Sequence, residues 1–190
     1  MTAAARLVVV GTSAGGLRAL ERVLGALPGD LGAPIVAVQH RSREDTDAYP
    51  AVVGATTSLV VAEAEDGEPL LPGHVYVGPA DYHVLVEPGR IALSTDEPVS
   101  RSRPSIDVLF ESAADAYGPD VLAVLLTGAG SDGSRGLWRV KQAGGVAIVQ
   151  DPDTAESPAM PAAGIAGAPV DRVLPLGAIA DEIVRRITSP

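Results

Sequence analysis

In this chain of 190 residues, a serine, a histidine and an aspartate each stand just past an apolar run. Ser13 lies in Gly11-Thr12-Ser13-Ala14-Gly15-Gly16 behind the run 7–10, His40 closes the run 35–38 through Gln39, and Asp132 lies in Thr127-Gly128-Ala129-Gly130-Ser131-Asp132-Gly133 behind the run 121–126. A hydroxyl, an imidazole and a carboxylate are the parts of a nucleophile, its general base and the group that orients the base. The carboxyl ends of buried strands are where an open α/β sheet gathers its ligands.

Each residue taken alone has a plainer role. Ser13 at a strand-to-helix junction can cap the helix, and free N–H groups with the positive end of the helix dipole there suit an oxyanion or a phosphate. His40 can bond a backbone carbonyl, and Asp132 is a favoured cap for a helix that follows it. Residues 11–15 satisfy G-x-S-x-G, a pattern short enough to arise by chance. Neither G-x-G-x-x-G nor Gly-Lys-Ser/Thr is present in the first loop, which leaves a nucleotide-binding role weak. Only the conjunction of the three points to a serine hydrolase.

The elements that must position them follow from periodicity. After the run 7–10, Leu17, Leu20, Leu24 and Leu27 recur at helical spacing until Pro28-Gly29. The charged stretch 41–47 reads as a loop, with a weak helix after it and a short strand at 59–62. Segments 74–77, 82–87 and 90–94, parted by Gly-Pro and Glu-Pro-Gly turns, are predicted as antiparallel strands inserted in the pattern. Pro104-Ser105 opens a helix with the stripe Ile106, Leu109, Phe110, Ala113 and Tyr117, closed by Gly118-Pro119, with Ser105 as its N-cap. Then come a strand at 121–126, a helix at 134–143, a strand at 146–149, a Pro-rich loop at 151–161, a strand at 173–174 and a helix at 179–187. The alternation predicts an α/β fold: a doubly wound, mainly parallel sheet in a Rossmann-like three-layer arrangement with an antiparallel β insertion, as one domain over residues 1–190.

Composition bounds the function. Hydrophobic residues make up 46% of the chain and aromatics 3%, so small and branched aliphatic side chains must fill the core. Cysteine is absent, which removes disulfides, thiolate chemistry and cysteine-ligated metal. The net charge of −10 argues against nonspecific binding to nucleic acid. Even so, Arg18, Arg41, Arg43, Arg101, Arg103 and Arg135 fall near the candidate site segments, so the choice is between a locally positive cleft and arginines on separate solvated faces. The opening run is too short for a membrane span and lacks signal-peptide features, so a cytoplasmic protein without membrane insertion is expected. His74 and His83 have no metal-ligand spacing, and no metal site is expected. Of these two, His83 is expected to be exposed, and Trp138 is expected to pack its helix.

Several segments in order resemble the catalytic domain of the CheB protein-glutamate methylesterases of bacterial chemotaxis. They are Gly11-Thr12-Ser13-Ala14-Gly15-Gly16, Gln39-His40, Pro72-Gly73-His74-Val75-Tyr76-Val77-Gly78-Pro79, Arg103-Pro104-Ser105-Ile106-Asp107-Val108-Leu109-Phe110, and Leu125-Leu126-Thr127-Gly128-Ala129-Gly130-Ser131-Asp132-Gly133. Ala147-Ile148-Val149-Gln150-Asp151 and Ser157-Pro158-Ala159-Met160-Pro161 extend the match, so that it covers nearly the whole chain. The resemblance implies that Ser13 attacks a glutamate γ-methyl ester, His40 is the base and Asp132 orients it, on a methylated chemoreceptor or receptor-like protein. No cofactor or metal is implied, and glutamine deamidation at the same site is. It also implies backbone oxyanion donors at Ala14, Gly15 and Ala129, makes His74 a structural residue, and adds Arg103 to Arg101 as a candidate substrate contact, with loop anchoring the alternative for both.

This chain departs from the family pattern in places. Methionine is usual where Ala129 stands and threonine frequent where Ala14 stands; backbone donors survive both changes. Arg41-Ser42-Arg43-Glu44-Asp45 replaces a more apolar, proline-containing loop beside the site. The first core strand begins at Leu7, where family enzymes carry a receiver domain beforehand, so no phosphoryl switch is expected. Two other functions stay open on sequence alone: a non-catalytic signalling module that keeps the fold and docks on receptor-like helices, and an anion- or nucleotide-binding α/β module that uses the Ser13 helix terminus without the histidine.

Overall fold

The computed structural model describes residues 6–41 and 48–188. Its centre is a seven-stranded sheet in the order β3-β4-β2-β1-β7-β8-β9, with every pairing parallel. The strands are β1 (Leu7–Thr12), β2 (Ile35–Gln39), β3 (Val60–Glu63), β4 (His74–Val77), β7 (Val121–Leu125), β8 (Val146–Gln150) and β9 (Arg172–Leu174). β5 (His83–Glu87) and β6 (Arg90–Ser94) form a separate antiparallel hairpin. The doubly wound α/β fold with an antiparallel insertion is thus observed, with one correction. The segment 74–77 belongs to the parallel sheet, where Val75 pairs with both Ile35 and Val61. Its flanking turns resemble those of a hairpin, but its apolar residues are buried between two neighbours.

Side-chain alternation on β1 assigns the two faces. Val8 and Val10 join a core with Leu20, Val23 and Leu24 of α1 (Gly16–Leu24), Val53 of α2 (Tyr49–Gly54) and Ile179 and Ile183 of α6 (Ile179–Thr188). Leu7 and Val9 face Ile106, Leu109 and Phe110 of α3 (Ile106–Tyr117), Leu137 and Val140 of α4 (Ser134–Gln142) and Met160 of α5 (Ala159–Gly167). Each fully buried aliphatic side chain contributes roughly 1.5–3 kcal/mol, which makes the sheet a rigid base for whatever its ends carry.

Other expectations shift. α1 stops at Leu24, where the Gly25 N–H bonds the Glu21 carbonyl, yet Leu27 remains buried beyond it. The stretch 151–161, expected as loop, holds a 3₁₀ turn and the first turn of α5. Pro161 is tolerated there because first-turn N–H groups need no helical acceptor, and Gly164 packs against Leu125 and Leu137. Most of the loop after His40 lies outside the described residues, while α2 and β3 match the weak helix and short strand expected after it. Among the described residues, no helix is long and apolar enough to cross a membrane.

Candidate active site

β1 is the strand where the winding reverses, with β2 on one side and β7 on the other. Their carboxyl ends deliver Ser13, His40 and Asp132 to one point, the crevice in which doubly wound folds bind ligands. His40 Nδ1 lies 3.2 Å from Ser13 Oγ, and His40 Nε2 lies 2.7 Å from Asp132 Oδ2. An ionised carboxylate only accepts, so Nε2 carries the proton and the Nδ1 lone pair faces the serine hydroxyl.

Ser13 is fixed by its backbone. Its N–H donates to the Thr127 carbonyl at 3.0 Å, and its own carbonyl accepts from Gly16 N–H at 2.8 Å. Gly15 then turns into the left-handed region at φ 78°, which starts α1 with no side-chain cap. Ser13 therefore does not cap its helix. Among the described residues, the N–H groups of Ala14, Gly15, Ala129 and Gly130 find no acceptor; the first two follow Ser13 directly and the other two follow Gly128, which is pressed against it.

The second glycine loop is pressed against the first. A Cβ on Gly128 would sit 2.8 Å from Ser13 Cβ and 2.6 Å from Met160 Sδ. Gly128 N–H donates to Ser157 O at 3.0 Å, Thr127 Oγ1 donates to Ala14 O at 2.9 Å, and Gln150 Oε1 accepts from Thr127 N–H at 2.8 Å. These bonds tie the ends of β1, β7 and β8 together.

Asp132 is 3% exposed and caps a helix, but not the one that follows it. Its Oδ2 accepts from Ile106 N–H at 2.7 Å as well as from His40, and its Oδ1 accepts from Asp107 N–H and Ser105 Oγ, each at 2.9 Å. Asp132 thus occupies the N-terminus of α3. Asp107 repays the arrangement at α4, where its Oδ1 accepts from Gly133 N–H at 2.9 Å and Gly136 N–H at 2.7 Å. Ser105, expected as the cap of α3, makes no cap bond because its hydroxyl goes to Asp132.

The exchange separates the two carboxylates electrostatically. Burial works against the charge of Asp132, but the hydrogen bonds from His40, Asp107 N–H and Ile106 N–H outweigh it and hold its pKa below the ordinary value. Asp107 is pushed up to about 6 by burial, opposed by Gly136 N–H and reinforced by the charge of Asp132.

His83 is buried at 2% exposure, contrary to expectation. Its Nδ1 accepts from Ser105 N–H at 3.2 Å, and its Nε2 donates to Glu97 O at 3.1 Å, so it buttresses the residue that holds Asp132. The family motif containing Ser105 and Asp107 was visible in sequence, but an acid in a helix's first turn reads as ordinary dipole compensation. His83 gave no signal. His74 Nδ1 bonds the Pro72 carbonyl and its ring stacks on Tyr76. Trp138 is half exposed on α4, not packed beneath it.

A cleft of about 280 Å³ adjoins His40, lined by Arg41, Asp81, Arg101 and Arg103 among others. Arg103 anchors a loop: its Nη2 and Nε donate to Asp81 Oδ1 at 2.8 and 3.1 Å, and its Nη1 donates to the Thr95 and Asp96 carbonyls. Arg101 makes no hydrogen bond or ion pair among the described residues. Arg18 is exposed on α1 and Arg135 pairs with Glu111, so neither joins the cleft; Arg43 lies outside the described residues.

Fold and site together define a doubly wound α/β protein with a serine–histidine–aspartate constellation at the carboxyl ends of its central strands. The chain belongs to the CheB methylesterase family, which it matches over residues 8–183. It resembles the crystal structure of the Thermotoga maritima CheB methylesterase catalytic domain with a TM-score of 0.90 and 36% identity, over 95% of this chain and 98% of that one. A protein of Leptospira interrogans is 43% identical over 94% of this chain and 93% of its own length. The protein-glutamate methylesterase/protein-glutamine glutaminase of Geobacillus kaustophilus is 44% identical over 95% of this chain, which spans 53% of that relative's length.

Proposed function

We propose that this chain is a protein-glutamate methylesterase with Ser13 as nucleophile. The carrying observation is the continuous relay from Ser13 Oγ through His40 to Asp132, at 3.2 and 2.7 Å. Ser13 Oγ attacks the γ-carbonyl carbon of a glutamate methyl ester while His40 Nδ1 takes its proton. Asp132 holds the Nε2–H and stabilises the imidazolium that forms. The tetrahedral oxyanion is received by the free N–H groups of Ala14, Gly15 and Ala129, whose worth is typically about 10²–10³ in rate per donor. Methanol leaves with the proton from His40, and the imidazole then activates water to release the free glutamate side chain from Ser13. Nucleophile, base and oxyanion donors are all groups of this chain, so the reaction as written calls on no metal or cofactor.

A glutamine side chain enters the same cycle with ammonia leaving in place of methanol. The protein partner is a methylated chemoreceptor or receptor-like signalling protein, met in the cytoplasm. The test is methanol release from methylated receptor fragments by the native chain and by Ser13→Ala. The variant should lose at least about 10³-fold of the rate, and equal rates would remove Ser13 from the mechanism.

A further inference from the structure

On a protein of net charge −10, the cleft beside His40 is lined by three arginines and one aspartate. Arg41, Arg101 and Arg103 line it against Asp81, and Asp81 already pairs with Arg103 at 2.8 Å. The side chain of Arg41 is only 3% exposed, and its pair with Glu63 is 3.2 Å long on a carboxylate that is 46% exposed. Its Nη2 donates to the Gly78 carbonyl, its guanidinium lies 4.3 Å from the Tyr49 ring centroid, and its Nε has no partner among the described residues. A guanidinium keeps its charge, and the half-exposed Glu63 carboxylate, screened by solvent, offsets only part of it on the cleft side.

Arg101 reaches this cleft from a strained turn. Val99 and Ser102 exchange both backbone bonds, at 3.1 and 2.9 Å, and the two residues between them, Ser100 and Arg101, have φ of 52° and 63°. Positive φ at both central positions is the signature of a type I′ turn, which favours Asn-Gly. Non-glycine residues held there are strained, and such strain clusters at ligand clamps. Here the strained residue is an arginine, unpaired among the described residues, that lines the cleft next to the candidate base.

We propose that Arg101, backed by the buried charge of Arg41, forms a carboxylate subsite beside His40 that selects protein substrates with an acidic side chain flanking the esterified glutamate. This rests on the methylesterase function above and specifies its substrate. Arg101 contacts the flanking carboxylate, and Arg41 deepens the potential without leaving its packed position.

The experiment uses two synthetic peptides, each with one glutamate γ-methyl ester, flanked by glutamate in one and glutamine in the other. Methanol release is measured with the native chain, Arg101→Gly, Arg101→Lys and the remote control Arg139→Gln. Glycine adopts the φ of residue 101 freely, so Arg101→Gly removes the charge and keeps the turn, as an unchanged or raised Tm verifies. The native chain should favour the acidic peptide roughly fivefold in kcat/KM, mainly through KM. That preference should vanish in Arg101→Gly, persist in part in Arg101→Lys and stay whole in Arg139→Gln. Hydrolysis of both peptides at equal rates by the native chain, or an undiminished preference in Arg101→Gly, overturns the subsite while leaving the esterase intact. Release from neither peptide overturns the methylesterase function and the subsite with it.

Discussion

Asp107→Asn tests the exchange of carboxylates between α3 and α4. Two effects oppose each other at this position. An anion at a helix N-terminus is stabilising by about 0.3–1 kcal/mol, and Asp107 accepts from two N–H groups there. Against that stands burial beside a second carboxylate, Asp132, and burial is the larger influence, since it lifts the Asp107 pKa from 3.8 to about 6. A rise of that size corresponds to roughly 3 kcal/mol at most, and because Asp107 titrates beside a second carboxylate about 1–2 kcal/mol is assigned to it. The sign follows from linkage. Because the folded-state value is the higher one, the contribution to stability is fully present below pH 3.8 and is lost as the pH rises through about 6. Asparagine keeps a carbonyl oxygen for the Gly133 and Gly136 N–H groups and carries no charge. The variant should therefore match the native chain at pH 4 and exceed it by about 1–2 kcal/mol at pH 7.5, in urea unfolding followed by circular dichroism. A variant less stable than the native chain at pH 7.5 would show that the ionised carboxylate is a net stabilising cap and would refute the argument.

Asp132→Asn turns an amide toward two donors, His40 Nε2–H and Ile106 N–H, and drives His40 into the tautomer that presents N–H to Ser13. Esterase kcat should fall by about 10⁴, and a loss under tenfold would remove Asp132 from the relay. Since Asp132 is held below its ordinary pKa, its own contribution is present above 3.8 and lost as the pH falls, so the same variant should flatten the acid limb of the stability profile. Gly128→Ala places a methyl 2.6 Å from Met160 Sδ and 2.8 Å from Ser13 Cβ, which should destabilise the fold by about 1–3 kcal/mol and lower kcat more than it raises KM. An unchanged Tm and kcat would mean that the two glycine loops are not held in contact.

What could be read ahead of the structure was whatever depends on local pattern. The runs ending at Thr12, Gln39 and Leu125 are apolar enough to read as buried parallel strands, and the polar residues past them come at the strand ends. That placed Ser13, His40 and Asp132 at one edge of a sheet. The segment 74–77 reads as a hairpin strand because turn residues on both sides look the same whether a strand returns as a hairpin or crosses to a parallel partner. The first turn of α5 was hidden by Pro158, Pro161 and the glycines, residues whose local propensity is overruled by packing on β7 and β8.

The amino-acid sequence by itself determined the doubly wound class and the identity of the three polar residues, since composition, strand period and motif order are properties of the linear chain. Tertiary structure alone decided which helix Asp132 caps, that His83 is buried behind Ser105, and that Arg103 is held by Asp81 while Arg101 has no partner among the described residues. Those outcomes join residues from 22 to 26 positions apart across helix termini and loop ends. No periodicity encodes which of several competent partners a carboxylate or guanidinium will meet, because that depends on how the helices come to rest on the two faces of the sheet.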